Sequence, residues 1–420
     1  MKLRSIIMIM VFAILPLGFG YAEELSLTID EALALALRNN ASVLLKQEDV
    51  QKAKASIAEA RSALLPALTA KASLSDTRGL YGKDISQASS QLSVKQYLYK
   101  GGAISNTIKQ NEFFLAATEA GLDAAKQEIA LNVKKAFYTL LFAGKFAALN
   151  KSILENTRAH YAMVKERYAF GQASESEVLT MEQSLRSVQE AYDSSLNELD
   201  SGRAVLNNVL FVQDDVVITL RGELGCEPEA IAYDEAFLKA MRMRPEIKQY
   251  EALEKESEKA IEVAKADSRP SVYASWDYYS ATRATASAAK NNNDYNILGV
   301  TVSWPVFDGW AAKAKVQRAL VDLKQSRLSK EKVIKDIRLE VKNAYLGLKN
   351  SLSFMQLMQS QVVVYQDTLL TIQDKSKAGI ASTLDLNDAS LGYQISLFNQ
   401  EQSMYDYIIA KARFDLAVGG

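Results

Sequence analysis

"DEALALALRNN", Asp30–Asn40, returns 204 positions later as "DEAFLKAMRMR", Asp234–Arg244. Arg38 aligns with Arg242, Ala60 with Ala264 and Pro66 with Pro270 at the same shift. Past these prolines the shift becomes 208, pairing "LYKGG" with "VFDGW" (Gly101 with Gly309), "VKKAF" with "VKNAY" (Val133 with Val341) and "FGQAS" with "AGIAS" (Gly171 with Gly379). The chain is one unit written twice, with an insertion in the second copy between Pro270 and Gly309.

The insertion falls where helical periodicity stops. In the second copy Val272, Ala274, Trp276 and Tyr278 alternate with Tyr273, Ser275, Asp277 and Tyr279; after a polar loop, Leu298, Val300, Val302 and Trp304 alternate with Gly299, Thr301 and Ser303. Period two predicts a hairpin with one apolar and one polar face. The first copy repeats this more weakly, with Leu68, Ala70, Ala72 and Leu74 opposite Thr69, Lys71, Ser73 and Ser75, and Leu92, Val94 and Leu98 on the return. A strand of about 13 residues reaches roughly 43 Å, enough to cross the apolar band of an outer membrane when tilted. Four strands cannot close a barrel in lipid, so several chains must share one. The soluble alternative is a small sandwich of two hairpins.

From Ala103 to Ala169 there is no proline, and Ile108, Leu115, Leu122, Ile129, Ala136 and Ala143 recur every seventh residue. In the second copy Ile334, Val341, Leu348, Met355, Val362 and Leu369 form one row, and Ile337, Ala344, Ser351, Met358, Tyr365 and Ile372 another three residues on. That is a coiled-coil seam on a rod about 100 Å long. The segments Asp30–Ser62 and Ser176–Leu210, laid end to end, match the long helix in length, as do Asp234–Ser268 and Thr383–Gly419 in the second copy. Each copy is therefore expected to be one long helix flanked by two short helices stacked on one axis.

Composition bounds the rest. The 420 residues hold only six prolines and nineteen glycines with 24% charge, which favours long helices. The first residues, "MKLRSIIMIMVFAILPLGFGYAEE", carry Lys2 and Arg4, an apolar run and Gly20-Tyr21-Ala22, the pattern of an export signal cleaved after Ala22. A membrane anchor would need a longer, unbroken run than one interrupted by Pro16. The lone cysteine, Cys226, has no intrachain disulfide partner. A net charge of −1 without a basic block excludes the footprint of a nucleic-acid binder. The single histidine, His160, lies within a helix with no cysteine near it and reads as structural, so no metal or other cofactor is expected. Nucleophile elbows and phosphate loops are missing from the sequence, which does not read as an enzyme.

The boundaries that follow are a signal peptide at 1–22, a first repeat at 23–210, a connector at 211–233 with a short strand near Val216–Leu220, and a second repeat at 234–420. Within the first repeat the hairpin spans about 67–99, the long helix about 103–169 and the tip about 171–176; in the second they span about 271–307, 309–376 and 379–383. At the tips, Gly171 and Gly379 end the long helices, and Ser174 with Glu177, and Ser382 with Asp385, fit capping boxes that restart the chain as helix. Capping does not account for Asp388, one turn beyond Asp385, where like charges disfavour one another. The other reading of Asp388 is a solvated helix face.

The order helix, proline, hairpin, glycine turn, long helix, Gly-x-x-Ser tip and return helix, twice over, resembles the TolC-like outer-membrane efflux proteins across nearly all of the mature chain. The resemblance implies a mainly α fold with a small transmembrane β part. It further implies a homotrimer whose twelve strands form an outer-membrane barrel in lipid, continuing into an α-helical tunnel through the periplasm. Such a channel works with a periplasmic adaptor protein and an inner-membrane pump as the exit of a tripartite efflux or secretion system. Asp385 and Asp388 match aspartates that constrict the tunnel mouth in this family, with Glu177 as the counterpart of Asp385 in the first repeat. Gly171, Ser174, Leu179, Gly379, Ser382 and Leu384 fall in the loops it gives to the adaptor. Two departures stand out: Tyr97 replaces the proline found at Pro305, and Ser376 and Ala381 occupy the places of a tyrosine and an arginine that hold the mouth closed in the family. The competing classes are a periplasmic adaptor, which would have one helical hairpin between β-rich domains, and a coiled-coil scaffold, which would lack the strands.

Overall fold

A computed structural model of the chain describes residues 25–80, 83–213, 216, 218–225, 232–285 and 288–420. The expected export segment at 1–22 and Cys226 lie outside the described residues. In chain order the elements are β1 (Leu25–Leu27), α1 (Ile29–Asn39), α2 (Ala41–Ser62), β2 (Ala67–Leu80), β3 (Lys83–Lys100), α3 (Ala103–Ala169), α4 (Glu175–Leu210), β4 (Ile218–Leu220), α5 (Tyr233–Met243), α6 (Pro245–Ala266), β5 (Ser271–Thr285), β6 (Ala288–Ser303), α7 (Ala311–Lys377) and α8 (Thr383–Ala417).

Helices α3 and α7 are 67 residues each, rods of roughly 100 Å. Helix α3 lies between α2 and α4 on one flank and α6 and α8 on the other; α7 packs on α6 and α8. The heptad rows face the packed side, since Ile337, Val341, Leu348, Met355 and Met358 are buried. Two equivalent cores result, one around Ala32, Ala36, Val43, Val133, Leu140, Leu206 and Leu210, the other around Ala236, Ala240, Ile247, Val341, Leu348, Phe414 and Val418. The parallel pair β1 and β4 covers the first core.

The short helices expected to run unbroken through 30–62 and 234–268 are each two helices. Asn40 is extended at φ −63° and ψ 126°, and its side chain accepts from the Ser42 N–H. Arg244 is extended at φ −60° and ψ 121° because Pro245 behind it disfavours the helical conformation, while Pro245 itself fits the first position of α6. Helix α1 therefore packs beside α3 and α4 instead of extending α2. Matching the short helices to the long one by length counted α1 as part of a rod it has left.

The four long strands form one antiparallel sheet in the order β2-β3-β5-β6, so the two hairpins join through β3 and β5. This replaces the alternative of two hairpins stacked as a sandwich. Register carries the apolar alternation across all four strands, as in the row Leu68, Val94, Trp276, Leu298, while Thr69, Ser93 and Asp277 share the opposite face. Leu74 is 87% and Leu298 80% exposed, so the apolar face lies uncovered among the described residues. At the outer strands β2 and β6 one edge of each has no partner among the described residues. No described helix is long and apolar enough to cross a membrane.

Candidate functional site

The tips where α3 turns into α4 and α7 into α8 gather most of the residues singled out in the sequence. Helix α3 ends as the Gly171 N–H reaches the Tyr168 carbonyl at 2.9 Å and the Gln172 N–H the Arg167 carbonyl at 2.8 Å. Helix α7 ends the same way, with Gly379 N–H to Ser376 O at 3.0 Å and Ile380 N–H to Lys375 O at 2.8 Å. Gly171 and Gly379 sit at φ +72° and +71°, where a side chain is strained, and a Cβ at either would meet nothing within 4 Å. The backbone angle demands these glycines; crowding does not.

Both return helices begin with complete capping boxes. The Ser174 N–H donates to Glu177 Oε2 at 2.8 Å and the Glu177 N–H to Ser174 Oγ at 3.2 Å. The Ser382 N–H donates to Asp385 Oδ2 at 2.9 Å, the Asp385 N–H to Ser382 Oγ at 3.2 Å, and Ser382 Oγ to Asp385 Oδ2 at 2.7 Å. The Ser382 hydroxyl, then its backbone N–H, hold the Asp385 carboxyl below the usual carboxylate range. Asp388 is exposed and makes no hydrogen bond or ion pair among the described residues. The side chain of Leu384 lies outside the described residues.

Two tip residues were missed in the sequence. Phe170 and Ile380, each beside a tip glycine, are 73% and 77% exposed, and Leu179 is 54% exposed. The available signal was a large apolar residue next to a helix-ending glycine, where no helix face exists to bury it.

His160 does more than fill a helix. Its Nε2 lies 2.9 Å from Asn387 Nδ2, so the chain's single histidine bridges α3 to α8 between Asp385 and Asp388 in sequence. Farther up the same seam Ser152 Oγ donates to Gln394 Oε1 at 2.9 Å, Lys145 Nζ to Glu401 Oε1 at 2.5 Å, and Thr139 Oγ1 pairs with Tyr405 OH at 2.9 Å. Phe142 stacks on both Phe398 and Tyr405 at 5.1 Å between ring centres. Among the described residues no cluster of three or more His, Cys, Asp or Glu could hold a metal.

The family model described as "Outer membrane efflux protein" matches residues 32–210 and 238–420. Nodulation protein T of Rhizobium leguminosarum bv. trifolii is 23% identical over 399 residues, covering 89% of this chain and 81% of its own. The fold is that of the Campylobacter jejuni CmeC outer membrane channel, with a TM-score of 0.78 at 16% identity over 93% of this chain and 85% of the other. The open-state Neisseria gonorrhoeae MtrE outer membrane channel gives 0.76 at 18% identity over 93% and 89%.

Proposed function

The chain belongs to the outer membrane efflux protein family, and from that premise we propose how its own residues build the conduit. It is an outer-membrane efflux channel that extends into the periplasm, passing substrates outward. The finer reading is a homotrimer: three four-stranded sheets joined edge to edge as a twelve-stranded barrel, above a ring of helices. The observation that carries it is a sheet that, among the described residues, has a bare apolar face, two unpaired edges and too few strands to seal itself.

The repeat supplies the missing register. Strand β6 is the second-copy counterpart of β3, and β2 the first-copy counterpart of β5. The Val94–Trp276 pair therefore maps onto Val302 of one chain facing Ala72 of the next, both on the apolar face. Directly opposed Cβ atoms lie about 4.5–5.5 Å apart, and the close end of that range meets the roughly 3.5–4.5 Å that a disulfide spans. With Cys226 replaced by serine, Val302→Cys with Ala72→Cys should give covalent trimers on oxidation in membranes, and Val302→Cys with Thr77→Cys should not. Cross-linking in neither case, from protein that remains monomeric in detergent, would remove the shared barrel.

At the far end the tips are the surface for a periplasmic adaptor, itself coupled to an inner-membrane pump. Open space above Gly171 and Gly379, the caps at Ser174 and Ser382, and exposed Phe170, Leu179 and Ile380 support this, with Leu384 beside them in sequence. Three copies of Asp385 and Asp388 would ring the mouth and favour cations, with Glu177 at the base of the neighbouring tip. Since Ser376 and Ala381 offer no long polar side chain, the mouth is held by the α3–α8 seam, ending at His160 and Asn387. The chain acts as a passive conduit with a removable export signal at 1–22, a first repeat at 23–210, a connector at 211–233 and a second repeat at 234–420.

A further inference from the structure

Tyr97 stands where the second repeat has Pro305, and its ring makes contacts that a proline there could not. It pairs in register with Tyr273, and the two rings meet edge to face at 5.8 Å. The Lys95 ammonium lies 3.9 Å from the centre of the Tyr273 ring and 4.8 Å from that of Tyr97. Lys100 Nζ lies 5.1 Å from the Tyr97 ring on its other side in sequence. Lys71 projects from the same polar face as Lys95, since Ala67 pairs with Lys95 and Lys71 with Gln91. None of these lysines has a carboxylate within ion-pair distance among the described residues. The nearest acid by register, Asp277, accepts from the Gln91 amide at 3.1 Å.

We propose that Lys95 and Lys100, set on the Tyr97–Tyr273 platform where the sheet meets the helices, together with Lys71 farther along the same polar face, form an anion-binding belt that recognises solutes bearing carboxylate or phosphate groups. Ring faces hold an ammonium by their quadrupole without neutralising it, so its charge and donors stay available. The second repeat places Ser275, Ser303 and Asp308 at the equivalent positions, and Asp308 is engaged in accepting the Ala312 N–H at 2.7 Å. The positive charge thus comes from the first repeat alone and recurs once per chain around the lumen. Enclosure by low-dielectric walls concentrates such a field and raises the local concentration of counter-ions. The belt rests on the trimeric reading, which turns the polar sheet face inward; it lies at the opposite end of α3 and α7 from the acidic mouth.

The test is block of single-channel current in planar bilayers by pyrophosphate added from the barrel side in potassium chloride without divalent cations. The full-length protein should be blocked, less so as salt rises. Lys71→Gln with Lys95→Gln and Lys100→Gln should weaken the block roughly tenfold, and Lys46→Gln, on the exposed side of α2, should leave it unchanged. Should the triple variant fail to assemble, Lys71→Gln alone, at an exposed position, should still weaken it. Conducting channels without block, or block indifferent to the lysine substitutions, overturn the belt while leaving the channel intact. Protein that forms no channel at all overturns the trimeric reading beneath it.

Discussion

Helices α3 and α7 occupy equivalent places in the two repeats and share a length of 67 residues, but their outer flanks differ. On α7, Val321, Leu328, Leu339, Leu346, Leu357 and Val364 form a stripe at spacings of seven and eleven, opposite the buried row through Val341, and all six are exposed. The corresponding residues of α3, Phe113, Ala120, Leu131, Tyr138, Leu149 and Asn156, are buried or half-buried. Helix α3 has α6 and α8 of the second repeat on that flank, whereas the stripe on α7 is left exposed among the described residues. Each such side chain contributes about 1.5–3 kcal/mol when fully buried. Under the proposed trimer this flank would take another chain: its α2 and α4, with Leu44, Leu45, Leu196 and Val205 exposed, would stand to α7 as α6 and α8 stand to α3.

The largest effect should follow from making the stripe polar. Leu328→Glu with Leu339→Glu and Leu346→Glu is expected to abolish the trimer in detergent while leaving helical circular dichroism intact, whereas Ala120→Glu at the covered counterpart should unfold the chain. Loss of helicity in the α7 variant would show that the stripe is needed within one chain and would erase the contrast.

A smaller contrast lies at the joints between the short helices. In the first repeat Asn40 Nδ2 donates to the Val209 carbonyl at 3.0 Å. In the second, Arg244 donates to the Leu416 carbonyl at 2.9 Å and to Glu340 at 2.8 Å, and its Nε lies 3.0 Å from Glu246. Only 7% of the Arg244 side chain is exposed. Arg244→Ala should destabilise by about 3 kcal/mol, because it strands partly buried carboxylates, and Asn40→Ala by about 1 kcal/mol. Equal losses in denaturant titrations would mean that the buried charge adds nothing to the joint.

The smallest effects are expected at the tips. Because the folded Asp385 carboxyl titrates below its ordinary range, the support it gives α8 is complete above that range and fades as pH falls through the depressed value. Amide exchange in the first turn of α8 should therefore quicken below about pH 4, and Asp385→Asn should abolish that dependence. Asp388→Asn leaves the cap untouched and should lower cation selectivity in bilayers. If selectivity follows Asp385 alone, or neither residue, Asp388 is only a solvated side chain.

Much of the fold was legible because its signals are local and repeated. The alternation through Val272–Tyr278 and Leu298–Trp304 marks strands whatever they pair with, and the rows through Val341 and Ile337 mark a helix with one packed seam. The capping boxes at Ser174 and Ser382 needed only a spacing of three. The breaks at Asn40 and Arg244 were harder. Asn40 carries no obligatory break, and its bond to Val209 spans 169 positions; Pro245 is a local sign of a break, which a comparison of segment lengths does not register. Likewise His160 reads as an ordinary helical residue until α8 brings Asn387 to it across 227 positions.

Sequence alone determined the repeat, the two hairpins, the paired long helices and the glycines at their ends, since each is set by periodicity or by backbone conformation within a few residues. Tertiary structure alone decided that β3 pairs with β5, that the α3–α8 seam closes on His160 and Asn387, that Lys95 rests on two tyrosines, and that α7 keeps an uncovered apolar flank. Those outcomes depend on which distant segments are driven together to bury apolar surface and satisfy polar groups, and no local pattern records the choice.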